Sequence, residues 1–384
     1  MMEINEKSKG GEDTDSQKNL EDKKIKSKSA SKKNVALSRF KRRLFRHIWL
    51  VRAGVIIAVG AVLVALSLFA ASLLRETRIG FYYDLASNFV FAPKDAVSVI
   101  DDRTNILLLG KGGQNHDAPS LTDTIVFVSV NHSKPSVSMV SLPRDIWIPE
   151  LRAKINSAYY WGNQKKEGGG LALAKSSVER IVGEPVQYGV VVDFEGFREI
   201  IDVLGGVEVD VENSFTDEHF PVPGKENDEC EGDPEFKCRY ETISFKKGKT
   251  TMDGDTALKF ARSRNADGDE GTDIARAARQ QKIIDAIKRK AFSKEILFSP
   301  RKLLEIKGVV ETYVETDIDP NPAAVIARKV FDARGSFYSH VLPEEFIVNP
   351  PKLPRYDNLY VFIPKDGDWS QVHEWVEKTL ALEN

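Results

Sequence analysis

A chain of 384 residues with 41% hydrophobic and 29% charged side chains has the make-up of a globular protein, which excludes disorder throughout. Its formal charge of −2 conceals a division: residues 1–52 carry 15 Lys and Arg against seven Asp and Glu, a balance of +8, leaving −10 for the remainder. So acidic a body argues against nucleic-acid binding by the folded part, and only the basic N-terminal end could meet DNA.

Residues 1–48 read as a cytoplasmic, basic, disordered tail. Lys, Ser, Glu and Asp dominate it, and its few aliphatic residues cannot offset the entropy of ordering. Residues 49–74 read as a transmembrane anchor. The run "AGVIIAVGAVLVALSLFAASLL" (Ala53–Leu74) holds 22 residues without a charge. As a helix it rises roughly 33 Å at ~1.5 Å per residue, enough for a ~30 Å hydrocarbon core. A buried soluble helix would carry a polar face, and a cleaved signal peptide has a shorter apolar run of ~7–15 residues. Arg39, Lys41, Arg42, Arg43, Arg46 and Arg52 all lie on the N-terminal side. The positive-inside rule then keeps the tail in the cytoplasm and places the C-terminal body on the outer face of a cell membrane crossed once.

Residues 75–98 form a membrane-proximal connector. Beyond it "NILLLG" (Asn105–Gly110) reads as a buried strand, and "DTIVFVSVN" and "PSVSMVSL" as a hairpin turning at "NHSK". Val and Ile occupy both pleat faces of the first hairpin strand, which asks for cover on both sides of the sheet. "GLALAKSSVERIVG" and "DFEGFREIIDVLGG" supply helices, the second capped by Asp193 and stopped at Gly205. The fold class expected is α/β: a central mixed β-sheet covered by helices on both faces over residues 99–293, preceded by the transmembrane helix. Residues 294–384 read as a small α+β extension. Cys230 and Cys238, in an acidic loop on the exported side, suit a local disulfide. A metal site or two free thiols are the alternatives, and the acidic residues of this loop match no EF-hand spacing.

Charged residues converge at two places. If the hairpin turn is symmetric, Asn131 pairs with Ser136 and, continuing outward, Asp123 faces Arg144. Pro143 removes a ladder donor, so Arg144 and Asp145 turn out at the sheet edge. A simple cross-strand salt bridge would look the same from sequence. The second cluster lies at the start of a long helix, where Thr272 serves as N-cap, Asp273 occupies the first turn, and Arg276 and Arg279 follow at i, i+3. Arg262 and Arg264 close the preceding short helix. Four arginines near a helix N-terminus call for an anion, and guanidinium forks suit phosphate. The alternative is arginines splayed into solvent and paired with Asp267, Asp269 or Glu270. The same helix face continues through Gln280 to Ile283 and Ile287, as for a ligand with an anionic head and an apolar tail; core packing would place the same isoleucines.

These segments, "NILLLG", "LTDTIVFVSVN", "SLPRD", "KINSAYYWGN", "VVVDFEGFREIIDVLGGVEVDV", "MDGDTALKFARSR" and "DIARAARQQ", resemble in this order the LytR-CpsA-Psr family of cell-envelope phosphotransferases. The resemblance implies transfer of a glycopolymer phosphate from a polyprenyl-pyrophosphate carrier to peptidoglycan or another wall acceptor, with magnesium or another divalent cation. It implies a metal-linked Asp123, a "PRD" arginine at Arg144, and pyrophosphate contacts from Arg144, Arg262, Arg264, Arg276 and Arg279. Lys154, Asn156, Tyr159, Asp273, Gln280 and Ile283 would surround the pocket, with Asp123 or Asp145 as base. One departure stands out: many members carry an aspartate soon after "LLLG", where this chain reads Gly110-Lys111-Gly112. Asp117, or His116, is the substitute ligand expected from the following loop. Two other functions remain open on sequence: a non-catalytic polyprenyl-lipid binder and a membrane-bound transcriptional attenuator.

Overall fold

A computed structural model describes residues 48–75, 92–113, 119–225 and 227–382. It divides the chain into two compact units, Met1–Tyr83 and Asp84–Asn384. The tail before Ile48, most of the connector, and both Asp117 and His116 lie outside the described residues.

In the first unit Ile48–Arg75 (α1) is one continuous helix of 28 residues. Ile56, Ile57, Val62, Leu63, Val64 and Phe69 along it are each more than half exposed. At about 100° per residue they are spread around the axis instead of forming one stripe. Counting only the described residues, no helix is long and apolar enough to cross a membrane. The complete sequence of α1 nevertheless contains the uncharged run Ala53–Leu74.

The second unit is built on a six-stranded mixed sheet. In chain order its strands are β1 (Arg103–Lys111), β2 (Thr122–Asn131), β3 (Ser136–Ser141) and β4 (Tyr188–Asp193), with two more added below. β2 lies antiparallel to β1 and β3, and β4 runs parallel to β1. The hairpin register pairs Asn131 with Ser136 and Val126 with Ser141. The expected two-sided burial follows from the pleat. Leu107, Leu109, Ile125 and Phe127 enter one core with helices α2 (Ala158–Lys165) and α3 (Gly170–Val182). Ile106, Val126, Val130 and Met139 enter another on the opposite face. α4 (Phe194–Leu204) leaves β4 directly, because the Asp193 carboxylate accepts from the Gly196 amide, and Gly205 (φ +84°) ends it.

A third core joins α4 to β5 (Val207–Val211), the hairpin β6 (Phe215–Pro221) and β7 (Tyr240–Phe245), β8 (Gly248–Met252), α5 (Gly254–Arg262) and α6 (Asp273–Ala291). Cys230 and Cys238 are joined by a disulfide within the long β6–β7 connection.

The boundary expected at residue 293 is not one in the fold. After α7 (Pro300–Tyr313), strand β9 (Val314–Thr316) pairs with β4 at one edge of the central sheet. After α8 (Pro320–Asp332), strand β10 (Phe337–Val341) pairs with β3 at the other edge. The last helix, α9 (Ser370–Leu382), buries Val372, Val376 and Leu380 against α3 in the main core. Residues 294–384 therefore complete the sheet and its cover instead of forming an appendage. A chain ending at Ser293 should lose cooperative thermal unfolding by circular dichroism. An unchanged, sharp melting transition would contradict this account.

Candidate active site

The hairpin register brings the two ends of "LTD" and "PRD" together. Arg144 Nη1 donates to Asp123 Oδ1 at 2.5 Å, and its Nε lies 3.5 Å from Asp145 Oδ2. A short ladder between Trp147–Ile148 and Ala153–Lys154 folds the chain back, so that Lys154 Nζ reaches Asp145 Oδ1 at 2.5 Å. The backbone beneath is fixed too. The Asn156 amide donates to the Arg144 carbonyl, Thr122 Oγ1 donates to the Asn156 carbonyl, and the Phe362 amide donates to the Asp145 carbonyl. The result is an alternating series, Asp123, Arg144, Asp145 and Lys154, at the sheet edge.

Across from it stands the start of α6. Thr272 caps this helix through the Ala275 amide. Arg276 and Gln280 project from its first turns into a cavity of about 60 Å³ whose walls include Asp123, Arg144 and Asp145. The other side of Gln280 borders an apolar tunnel of about 240 Å³. Leu108, Phe197, Ile200, Ile283, Ile284 and Ile287 line it, and Arg262 stands in its wall. The Arg262 guanidinium lies over the Phe194 ring, 4.4 Å from the centroid.

Other expected residues are placed differently. Arg279 is 3% exposed and borders none of these cavities. Its Nε donates to the Phe260 carbonyl, Nη2 to the Ser263 carbonyl, and Nη1 to the Glu270 carbonyl and carboxylate. It caps carbonyls left over at the C-terminus of α5. Burial lowers its pKa, against the opposing pull of Glu270. Arg264 is exposed and lines neither the Arg144 cavity nor the apolar one, its amide donating to Asp217. Tyr159 is packed in the core, with its hydroxyl donating to Glu315. Burial first, and then that hydrogen bond, raise its pKa. Tyr159 and Asn156 thus support the site from below. Asp273 is the first residue of α6, and its side chain lies outside what is described.

Sequence reasoning did not find the contribution of the C-terminal segment: Val341, Leu342, Glu344, Ile347 and Phe362 also line the Arg144 cavity. It also missed Asp217, fully buried, which accepts from Ser263 Oγ and from the Arg264 and Asn265 amides. A carboxylate two residues after Phe215 in "FTDEHF", and so on the same inward face of the strand, was the available signal.

The LytR_cpsA_psr family model matches residues 86–374. The chain belongs to the LytR_cpsA_psr family. Its relatives include the polyisoprenyl-teichoic acid–peptidoglycan teichoic acid transferase TagU of Bacillus licheniformis, 27% identical over 65% of this chain and 72% of that one. TagU of Bacillus subtilis is 28% identical over 56% of this chain and 60% of its own length. Among solved structures, TagV of Bacillus subtilis superposes with a TM-score of 0.52 at 23% identity, covering 74% of this chain and 99% of that one. A structure of TagT bound to LIIa-WTA gives 0.51 at 21% identity, covering 76% and 95%. These superpositions share the fold of this LytR_cpsA_psr member.

The two α6 arginines should separate by substitution. Arg279→Ala strands Glu270 and several carbonyls in the interior and should cost about 3–5 kcal/mol in urea unfolding. Arg276→Ala should change stability by less than about 1 kcal/mol. Equal losses would refute the distinction.

Proposed function

We propose that the protein is a membrane-anchored, extracytoplasmic phosphotransferase that moves a glycopolymer phosphate from a polyprenyl-diphosphate carrier to a wall acceptor such as peptidoglycan. The observation that carries this reading is the shared wall at Gln280, with Arg144 and Arg276 on one side and an apolar tunnel on the other. Diphosphate and polyprenyl chain need these two environments side by side. The names of the TagU relatives point to the same class of reaction.

In this mechanism the isoprenoid lies along Phe197, Ile200, Ile283 and Ile287, and the diphosphate lies among Arg144, Arg276 and Arg262. Guanidinium forks bind phosphate oxygens and stabilise the charge that builds up as the bridging P–O bond lengthens. An acceptor hydroxyl attacks the sugar-linked phosphorus in line. A new O–P bond forms, polyprenyl phosphate departs, and the hydroxyl proton passes to a carboxylate, Asp123 or Asp145.

The carboxylates fit a magnesium ion. They are hard oxygen donors, without His or Cys among them, and magnesium is commonly held by one or two carboxylates plus substrate phosphates. Asp123 would hold it beside Asp145, and when bound it would neutralise diphosphate charge. The one group of three metal-capable side chains among the described residues, Asp228, Cys230 and Cys238, lies elsewhere, and its sulfurs form the disulfide.

Anchoring rests on the uncharged run within α1, on the basic residues before it, and on the disulfide, which suits an oxidising exterior. A reporter fused after residue 384 should be active only outside the cytoplasm.

Arg144→Ala and Arg276→Ala should each lower transfer from a synthetic polyprenyl-diphosphate sugar by about 10²–10³-fold; Arg276→Ala should melt near the parent, whereas Arg144→Ala deprives Asp123 of its partner and should melt earlier. Chelation of divalent cations should stop release of polyprenyl phosphate. Wild-type rates in either variant would remove that arginine from the mechanism.

A further inference from the structure

A third cavity, of about 770 Å³, adjoins the tunnel and shares Asp193, Phe194, Leu258 and Arg262 with it. Its volume is in the range of pockets that bind whole small molecules. Its chemistry is unlike that of the other two. A chain of alternating charges runs along its wall from α4 to β7: Arg198 pairs with Glu195 and lies 3.9 Å from Asp255. Lys259 Nζ lies 3.3 Å from Asp255 and 3.1 Å from Glu241. Tyr313, half-buried, adds an aromatic ring to the same lining, with Phe220 buried behind it.

From this we infer that the cleft is a glycan subsite, a conclusion that rests on the transfer reading above. Three cations, Arg198, Lys259 and Arg262, stand against four carboxylates, Asp193, Glu195, Glu241 and Asp255. That near-neutral balance disfavours a polyanion, and the polar lining disfavours a lipid tail. A sugar ring is uncharged, carries hydroxyls that donate and accept, and has apolar C–H faces. It can hydrogen-bond to both members of each charge pair while lying against an aromatic ring.

Gly112 and Gly113 line one side of the cleft. Gly113 has φ +79°, and a Cβ there would come within 3.2 Å of the Asp193 Cβ. The positive φ and the nearness of Asp193 both select glycine at this edge of the cleft. A diphosphate near Arg262 would have its non-lipid substituent on this side, and an incoming acceptor strand could reach the same place.

Titration calorimetry on the full chain in detergent tests the proposal with three probes: a polyprenyl diphosphate without sugar, the same lipid bearing a disaccharide, and a soluble peptidoglycan glycan fragment. Lys259→Ala should leave affinity for the bare lipid within about twofold. It should weaken either the glycosylated lipid or the soluble fragment by about tenfold, the loss of one charged hydrogen bond. The first result assigns the cleft to the donor glycan, the second to the acceptor. Asp255→Asn, at a more exposed position, repeats the measurement if Lys259→Ala melts early. Unchanged affinity for both sugar probes, or an equal loss on the bare lipid, overturns the glycan assignment. Failure of the wild-type chain to bind the bare lipid would count instead against the transfer reading, and the soluble fragment would still judge the cleft.

Discussion

The site depends on one cross-strand ion pair, Arg144 with Asp123. Its position follows from the hairpin register, and Pro143 releases Arg144 from the ladder at the point where its side chain can turn toward α6. Asp145 and Lys154 extend the pair into an alternating row, so every carboxylate in it faces a cation. Partly sheltered charges of this kind are tolerated only when paired. The row therefore holds a guanidinium in a fixed place, at the cost of nearby carboxylates that a bound anion must then share.

The two arginines Arg276 and Arg279 of α6 have different surroundings. Arg279 is fully committed to α5 and the loop after it, while Arg276 looks into the cavity. Because Arg279 ties Phe260, Ser263 and Glu270 to α6, it fixes the angle at which Arg276 and Gln280 are presented. Three adjoining cavities then carry three kinds of lining: charged beside Arg144, apolar along Ile283, and mixed polar beside Lys259.

Much of this was legible in the sequence because its signals are local. The register needed only a symmetric turn, the caps at Asp193 and Thr272 needed only side-chain type, and the Ile283 face needed only helical period. Arg279 was misplaced because i and i+3 positions share a helix face only to within some 60°, enough to send one side chain to a cavity and the other to a neighbouring helix end. The C-terminal segment was misread for a different reason. β9 and β10 are short, and their partners lie more than a hundred residues upstream, where periodicity gives no guidance. Glu195, Asp255 and Lys259 lie in segments quoted above, yet their meeting depends on how α4, α5 and β7 pack, which no single segment displays.

Closure of the sheet by β10 has a consequence for biogenesis. Phe337 lies opposite Val137, so a strand made early in synthesis waits some two hundred residues for its neighbour. Until then β3 presents an unpaired edge, open to wrong partners. The enzyme's architecture is therefore finished only when its last segment has been made, which makes the arrival of the C-terminal strand, and not of the "PRD" and "ARSR" segments, the step that commits the molecule to its native form.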